Sequence, residues 1–181
     1  MRIRETALPG LLIIEPRVYR DARGFFVETW HATRYEELGI PVPFVQDNLS
    51  RSVGNVLRGL HWQWRHPQGK LVRVTQGEVF DVAVDVRPDS PTFGRWESVV
   101  LSADNCWQYW IPEGFAHGFY VLSEVAQIEY KCTAFYDAEG EHGLIWNDPD
   151  LAINWPVSAP LLSPRDQAHP RFTEIFGQPP R

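Results

Sequence analysis

A chain of 181 residues that is 44% hydrophobic and 22% charged has the length and balance of one globular domain, residues 1–181. Its formal charge of −6 excludes a broad basic surface for nucleic acid, and Cys106 and Cys132 are too few for a disulfide framework or a zinc-binding spacing. No apolar run approaches the length of a membrane span, and Met1 leads straight into Arg2-Ile3-Arg4-Glu5, so the expectation is a soluble, cytoplasmic protein without membrane partners.

Short apolar and alternating runs bounded by Gly, Pro, Asp and Asn recur along the whole chain, as in an all-β sandwich or barrel. They predict strands at about 11–15, 24–29, 45–50, 55–64, 70–76, 78–86, 95–102, 107–111, 117–122 and 126–136. Gln76-Gly77 reads as a hairpin turn between two of them. In Val79-Phe80-Asp81-Val82-Ala83-Val84-Asp85-Val86 every even position is apolar, which predicts one core face and a second face carrying Asp81 and Asp85. Helical patterning is scarce. It covers about 30–38, where Gly39 supplies the stop, and restarts at Ser163-Pro164-Arg165-Asp166 with an N-cap serine, a first-turn proline and an acid at the third position. The tail 177–181 carries no signal for order.

Three polar residues interrupt the predicted strands. His61 and Lys70 stand nine residues apart, and His117 follows in Pro112-Glu113-Gly114-Phe115-Ala116-His117-Gly118. An imidazole or ammonium loses hydration on a buried sheet face, so each needs a partner or a task there. His61 suits a general base and Lys70 a cation beside a developing oxyanion, a pair fitted to proton abstraction next to a carbonyl. A hydrogen-bonded core histidine and a solvated lysine are the alternatives that spacing leaves open. Ile128, Tyr130 and Cys132 share one strand face, predicted to point inward, where a phenol is either a core ring or an acid. Histidines on strands also raise the cupin metal pattern, and Pro112-x-Gly114-x-x-His117 fits its second half. The first half requires His-x-His followed by a glutamate, and here it reads His61-x-Gln63 with no such glutamate, which leaves too few ligands for a metal.

Several strings occur in the order found in the dTDP-4-dehydrorhamnose 3,5-epimerases, and the chain resembles that family from about Leu8 to Asp166. Among them are Arg23-Gly24-Phe25-Phe26-Val27-Glu28, Val45-Gln46-Asp47-Asn48, Val56-Leu57-Arg58-Gly59-Leu60-His61, Gln68-Gly69-Lys70-Leu71-Val72-Arg73, Trp110-Ile111-Pro112-Glu113-Gly114-Phe115-Ala116-His117 and Trp146-Asn147-Asp148-Pro149. The resemblance implies a cupin-like jelly roll (double-stranded β-helix) with a few short helices, a homodimer, no cofactor, no metal, and a dTDP-4-keto-6-deoxyhexose substrate inverted at carbon 3, carbon 5 or both. By that resemblance His61 is the base, Asp166 orients its imidazole, Lys70 stabilises the enolate oxygen and Tyr130 returns a proton from the opposite face. Ligand contacts would come from Arg23, Glu28, Gln46, Asp47, Asn48, Arg58, His117, Glu141 and Arg165, with Tyr136 on the thymine and part of Arg23 to Glu28 reaching the neighbouring subunit's pocket. The chain departs from the family pattern at Leu49, where a histidine is common, at Trp62, usually Tyr or Phe, and at Arg165, usually Lys. Relatives that invert a single carbon share the same base and acid, so the number of carbons inverted stays open at this point.

Overall fold

The computed structural model describes residues 1–40 and 43–180 and consists almost wholly of antiparallel strands. Six of them make one sheet, in the order β1 (Arg2–Glu5), β2 (Leu12–Glu15), β10 (Gln108–Ile111), β7 (Lys70–Gln76), β12 (Val125–Cys132) and β5 (Gln46–Val53). Five make a second sheet, β13 (Glu141–Gly143), β6 (Leu57–Gln63), β11 (Phe115–Val121), β8 (Glu78–Asp85) and β9 (Trp96–Ser102). β3 (Val18–Asp21) and β4 (Gly24–Val27) pair only with each other. Three short helices complete the chain: α1 (Ala32–Glu36), α2 (Pro164–Gln167) and α3 (Phe172–Phe176). This is the cupin-like jelly-roll arrangement expected from the sequence, with chain neighbours often sent to opposite sheets.

Val72, Val74, Tyr109 and Ile128 from the first sheet meet Val79, Ala83, Leu101, Phe115 and Phe119 from the second in the main core. Each such side chain fully buried contributes about 1.5–3 kcal/mol of transfer free energy. Both outer faces are covered as well. Leu60, Trp62, Val82, Val84, Phe93, Leu144 and Phe172 pack outside the five-stranded sheet. Ile14, Tyr35, Ile40, Leu71 and Trp110 pack outside the six-stranded one, under α1. Strands buried on both faces explain the near-continuous apolar runs.

That double cover corrects the expectation for β8. Asp81 and Asp85 are fully buried rather than on a solvated face. They share a face with Val79 and Ala83, so they point between the sheets. Asp85 is matched by Arg87 at 2.7 Å, Ser90 at 2.5 Å and Thr92 at 2.7 Å. Asp81 faces His117. β1, β3, β13 and α3 had no counterpart in the sequence reading, whereas the helix after Ser163 begins as expected, with the Ser163 hydroxyl accepting from the Asp166 backbone N–H. In the tail Pro180 lies against Gly94, and Arg181 is outside the described residues.

Candidate active site

A cavity of about 400 Å³ opens between the two sheets, within the size range of small-molecule sites. Strand alternation decides which side chains reach it. On β6, His61 and Gln63 face inward while Leu60 and Trp62 pack outside. His117 on β11 stands directly opposite His61 in the ladder and therefore projects to the same side. These residues form the wall contributed by the five-stranded sheet. The facing wall comes from the other sheet: Lys70 shares its face with the core residue Val72, Tyr130 is register-paired with Val72 and with Asn48, and Gln46 lies two residues before Asn48. Arg58, Tyr136, Glu141, Arg165 and Asp166 also line it.

His61 Nε2 and Asp166 Oδ1 lie 2.6 Å apart. Asp166 is buried at 4% exposure, and burial by itself would raise its pKa. Hydrogen bonds with His61 and Ser163 outweigh that and hold the carboxyl below its ordinary value. An ionised carboxylate only accepts, so Nε2 carries the proton and the lone pair lies on Nδ1. His117 Nε2 lies 2.9 and 3.0 Å from the two oxygens of Asp81. Burial pushes Asp81 up, with His117 and Lys70 opposing it.

Lys70 is partly buried, and loss of hydration lowers its pKa against the pull of Cys132, Glu141 and Asp81. Burial raises the Tyr130 phenol, which keeps it protonated and able to donate. At the rim Tyr136 donates to Glu141 at 2.9 Å, Arg165 pairs with Glu141 at 2.5 Å, and Gln46 accepts from the Tyr136 backbone N–H at 2.9 Å. Arg58, Lys70 and Arg165 bring three cationic side chains to one cavity.

Gln63, which interrupts the metal pattern, has another task. Its amide donates to the carbonyls of His66 and Phe135 and accepts from the Asp137 N–H, tying the loop after β6 to the one after β12. With His117 engaged by Asp81 and Gln63 by backbone, the donor set of a cupin metal centre is not assembled at this position.

Eleven of the residues named from the sequence line this one cavity: His61, Lys70, Tyr130, Asp166, Gln46, Asn48, Arg58, His117, Tyr136, Glu141 and Arg165. Three do not. Asp47 lies between Gln46 and Asn48 on β5, so alternation turns it to the outer face, where it pairs with Lys131 at 2.9 Å. Arg23, whose side chain is 89% exposed, pairs with Asp21, and Glu28 pairs with Arg34. The sequence reading also passed over His169, whose ring packs edge-on to His61 with centroids 5.3 Å apart. No local pattern marks it, because it lies outside any strand or helix.

The family model described as dTDP-4-dehydrorhamnose 3,5-epimerase matches residues 5–174. A dTDP-4-dehydrorhamnose 3,5-epimerase of Pseudomonas aeruginosa is 55% identical over 176 residues, covering 96% of this chain and 97% of that protein. One of Neisseria gonorrhoeae is 56% identical over 169 residues and covers 93% of this chain, but the match spans only 52% of that longer relative. Among solved structures, a dTDP-6-deoxy-D-glucose-3,5-epimerase from Legionella pneumophila in complex with dTDP-4-keto-L-rhamnose superposes with a TM-score of 0.94 at 55% identity, covering 99% of this chain and 97% of that one.

Proposed function

The chain belongs to the dTDP-4-dehydrorhamnose 3,5-epimerase family, and on that premise we propose that it converts dTDP-4-dehydro-6-deoxy-D-glucose to dTDP-4-dehydro-L-rhamnose by inverting carbons 3 and 5. The observation that carries this reading is the placement of base and acid on facing sheets. His61 approaches from the five-stranded sheet and Tyr130 from the six-stranded sheet, across one cavity. Inversion requires that a proton leave one face of a carbon and return to the other.

Both carbons flank the same keto group, so one enolate-forming apparatus serves twice. His61 Nδ1 takes the proton, and the resulting imidazolium is stabilised by Asp166 at 2.6 Å. Lys70 faces the enolate oxygen. An oxyanion donor of this type typically contributes about 2.7–4 kcal/mol to lowering the barrier. Tyr130, still protonated, delivers the proton from the opposite wall. The step moves protons alone, and none of these roles calls on a cofactor.

The dTDP moiety fits the remaining lining. Arg58 and Arg165 suit the diphosphate, Tyr136 at the rim suits the thymine ring, and Gln46, Asn48, His117 and Glu141 supply polar contacts. We assign Arg23 and Glu28 to a second copy's pocket, in a homodimer. Their hairpin of β3 and β4 pairs with no other strand of its own chain and exposes Tyr19, Phe25 and Phe26 at 52%, 54% and 68%, a patch of the kind that association covers. Asp47 is left out of the ligand set. The free thiols Cys106 and Cys132 suit a reducing cytoplasm, and no helix among the described residues is long and apolar enough to cross a membrane.

The test is exchange in deuterium oxide followed by proton NMR of the keto sugar. Wild type incorporates deuterium at both carbons, and His61→Ala at neither. Exchange retained in the variant would remove His61 from the mechanism, and incorporation at a single carbon in wild type would make the enzyme a monoepimerase.

A further inference from the structure

Asp166 is shared between two imidazoles. On one side His61 Nε2 lies 2.6 Å from Oδ1; on the other His169 Nε2 lies 3.4 Å from the same oxygen. His169 is held there firmly. Its ring fills the space beside Gly143, where an added Cβ would fall 2.2 Å from His169 Cε1. Gly143 is in turn the ladder partner of His61. The His169 side chain is 9% exposed, and its Nε2 is buried without a hydrogen-bond partner among the described residues. A buried ring nitrogen whose approach to a carboxylate falls short of a hydrogen bond is incompletely satisfied.

One donor atom from each of His61, Asp166 and His169 lies within 4.8 Å of the others, the only such group of three among the described residues. Ligands at about 2.1 Å from a tetrahedral zinc ion stand roughly 3.4 Å apart. The Asp166 to His169 separation already has that value, the short His61 to Asp166 contact must open, and the two imidazole donors stand within 4.8 Å of each other. Two imidazoles and a carboxylate are a donor set suited to divalent transition metals rather than to magnesium or calcium.

We propose that His61, Asp166 and His169 form an inhibitory site for a divalent transition-metal ion of the zinc class, overlapping the catalytic dyad. The chemistry is one of competition. A metal on His61 Nε2 displaces the proton held toward Asp166, and the neutral ring then carries its proton on Nδ1. That nitrogen, the one assigned to attack the substrate's C–H, loses its free lone pair. Asp166 becomes a metal ligand and ceases to stabilise an imidazolium. Glu141, already paired with Arg165, offsets that neighbouring positive charge.

Inhibition rests on the epimerase reading, whereas metal binding does not, so the two are measured separately. Protein stripped with EDTA is titrated with zinc chloride by calorimetry, as wild type, His169→Gln and His169→Phe. The phenyl ring retains packing against Gly143 without a nitrogen, and thermal melts establish that both variants fold. Wild type is expected to bind one zinc per chain. Both variants should bind at least about tenfold more weakly, since even loss of an outer-shell partner typically costs that much. Epimerase activity of wild type should fall in step with occupancy and return on adding EDTA. Wild-type zinc affinity in both folded variants, or no zinc bound by wild type, would overturn the site. Stoichiometric binding at His169 with full activity would overturn its overlap with the dyad.

Discussion

Replacing Asp166 with asparagine isolates the electrostatic part of the dyad. The helix start should survive, because Ser163 accepts from the backbone N–H of residue 166 and not from its side chain. What changes is the partner of His61 Nε2. Two unit charges 2.6 Å apart attract by roughly 6 kcal/mol at an effective dielectric of about 20. The His61 side chain is 27% exposed and both charges are delocalised, so about half of that is expected to survive screening, roughly 3 kcal/mol. This corresponds to a loss of about two orders of magnitude in rate. The upper bound is about 10⁴-fold, the effect of the equivalent change in a Ser-His-Asp triad, where the amide also favours the wrong tautomer. The assay is the rate of deuterium incorporation at each carbon under saturating substrate, with KM measured alongside. The loss should fall on kcat at both carbons alike, because one base serves both. A loss under about tenfold would refute the dyad as a source of basicity. A loss confined to KM would make Asp166 a binding residue.

Tyr130→Phe should separate exchange from inversion: His61 still removes and returns a proton on its own face, so deuterium enters while inversion falls by about 10²-fold or more. Undiminished inversion would place the acid elsewhere. Arg23→Ala and His61→Ala, each impaired alone, should regain activity when unfolded and refolded together, since one pocket of the mixed dimer then holds an intact His61 and an intact Arg23 from the other chain; absence of recovery would refute the shared pocket. Asp85→Ala should destabilise the fold by about 3 kcal/mol in urea melts, because it removes the buried acceptor shared by Arg87, Ser90 and Thr92. Burial raises the Asp85 pKa, but those three partners outweigh it and the net shift is downward. Its contribution is therefore present above pH about 3.9 and lost as pH falls through the lower folded value, so wild type and variant should converge in acid.

Period-2 reasoning located most strands within a residue or two, because strands packed in the interior of a sandwich announce themselves by apolar spacing. It failed where that spacing carries no information. β1 and β13 are sheet-edge strands of four and three residues, and β3 belongs to an exposed hairpin. On β8 the alternation was real but its meaning was inverted: Asp81 and Asp85 looked solvated because sequence does not reveal that a second sheet lies over them. The resemblance groups Gln46, Asp47 and Asn48 among the ligand contacts, whereas strand alternation turns Asp47 away from the other two, toward Lys131.

Which sheet a strand joins is a long-range property, and it is what converts the polar intruders into a mechanism. His61 and Lys70 are close in sequence, yet β6 and β7 enter different sheets, so the two arrive on opposite walls. Tyr130 follows Lys70 because β12 is the hydrogen-bonded neighbour of β7, while Asp166 reaches His61 across 105 positions from a four-residue helix. A single-sheet arrangement of the same strands would set base and acid side by side, where proton return regenerates the starting stereochemistry. In the proposed mechanism, chain crossing between sheets therefore supplies the opposed base and acid that inversion needs. It also explains why His169 was invisible from sequence: its neighbours are His61 and Gly143, brought to it only after both sheets and the C-terminal segment have closed.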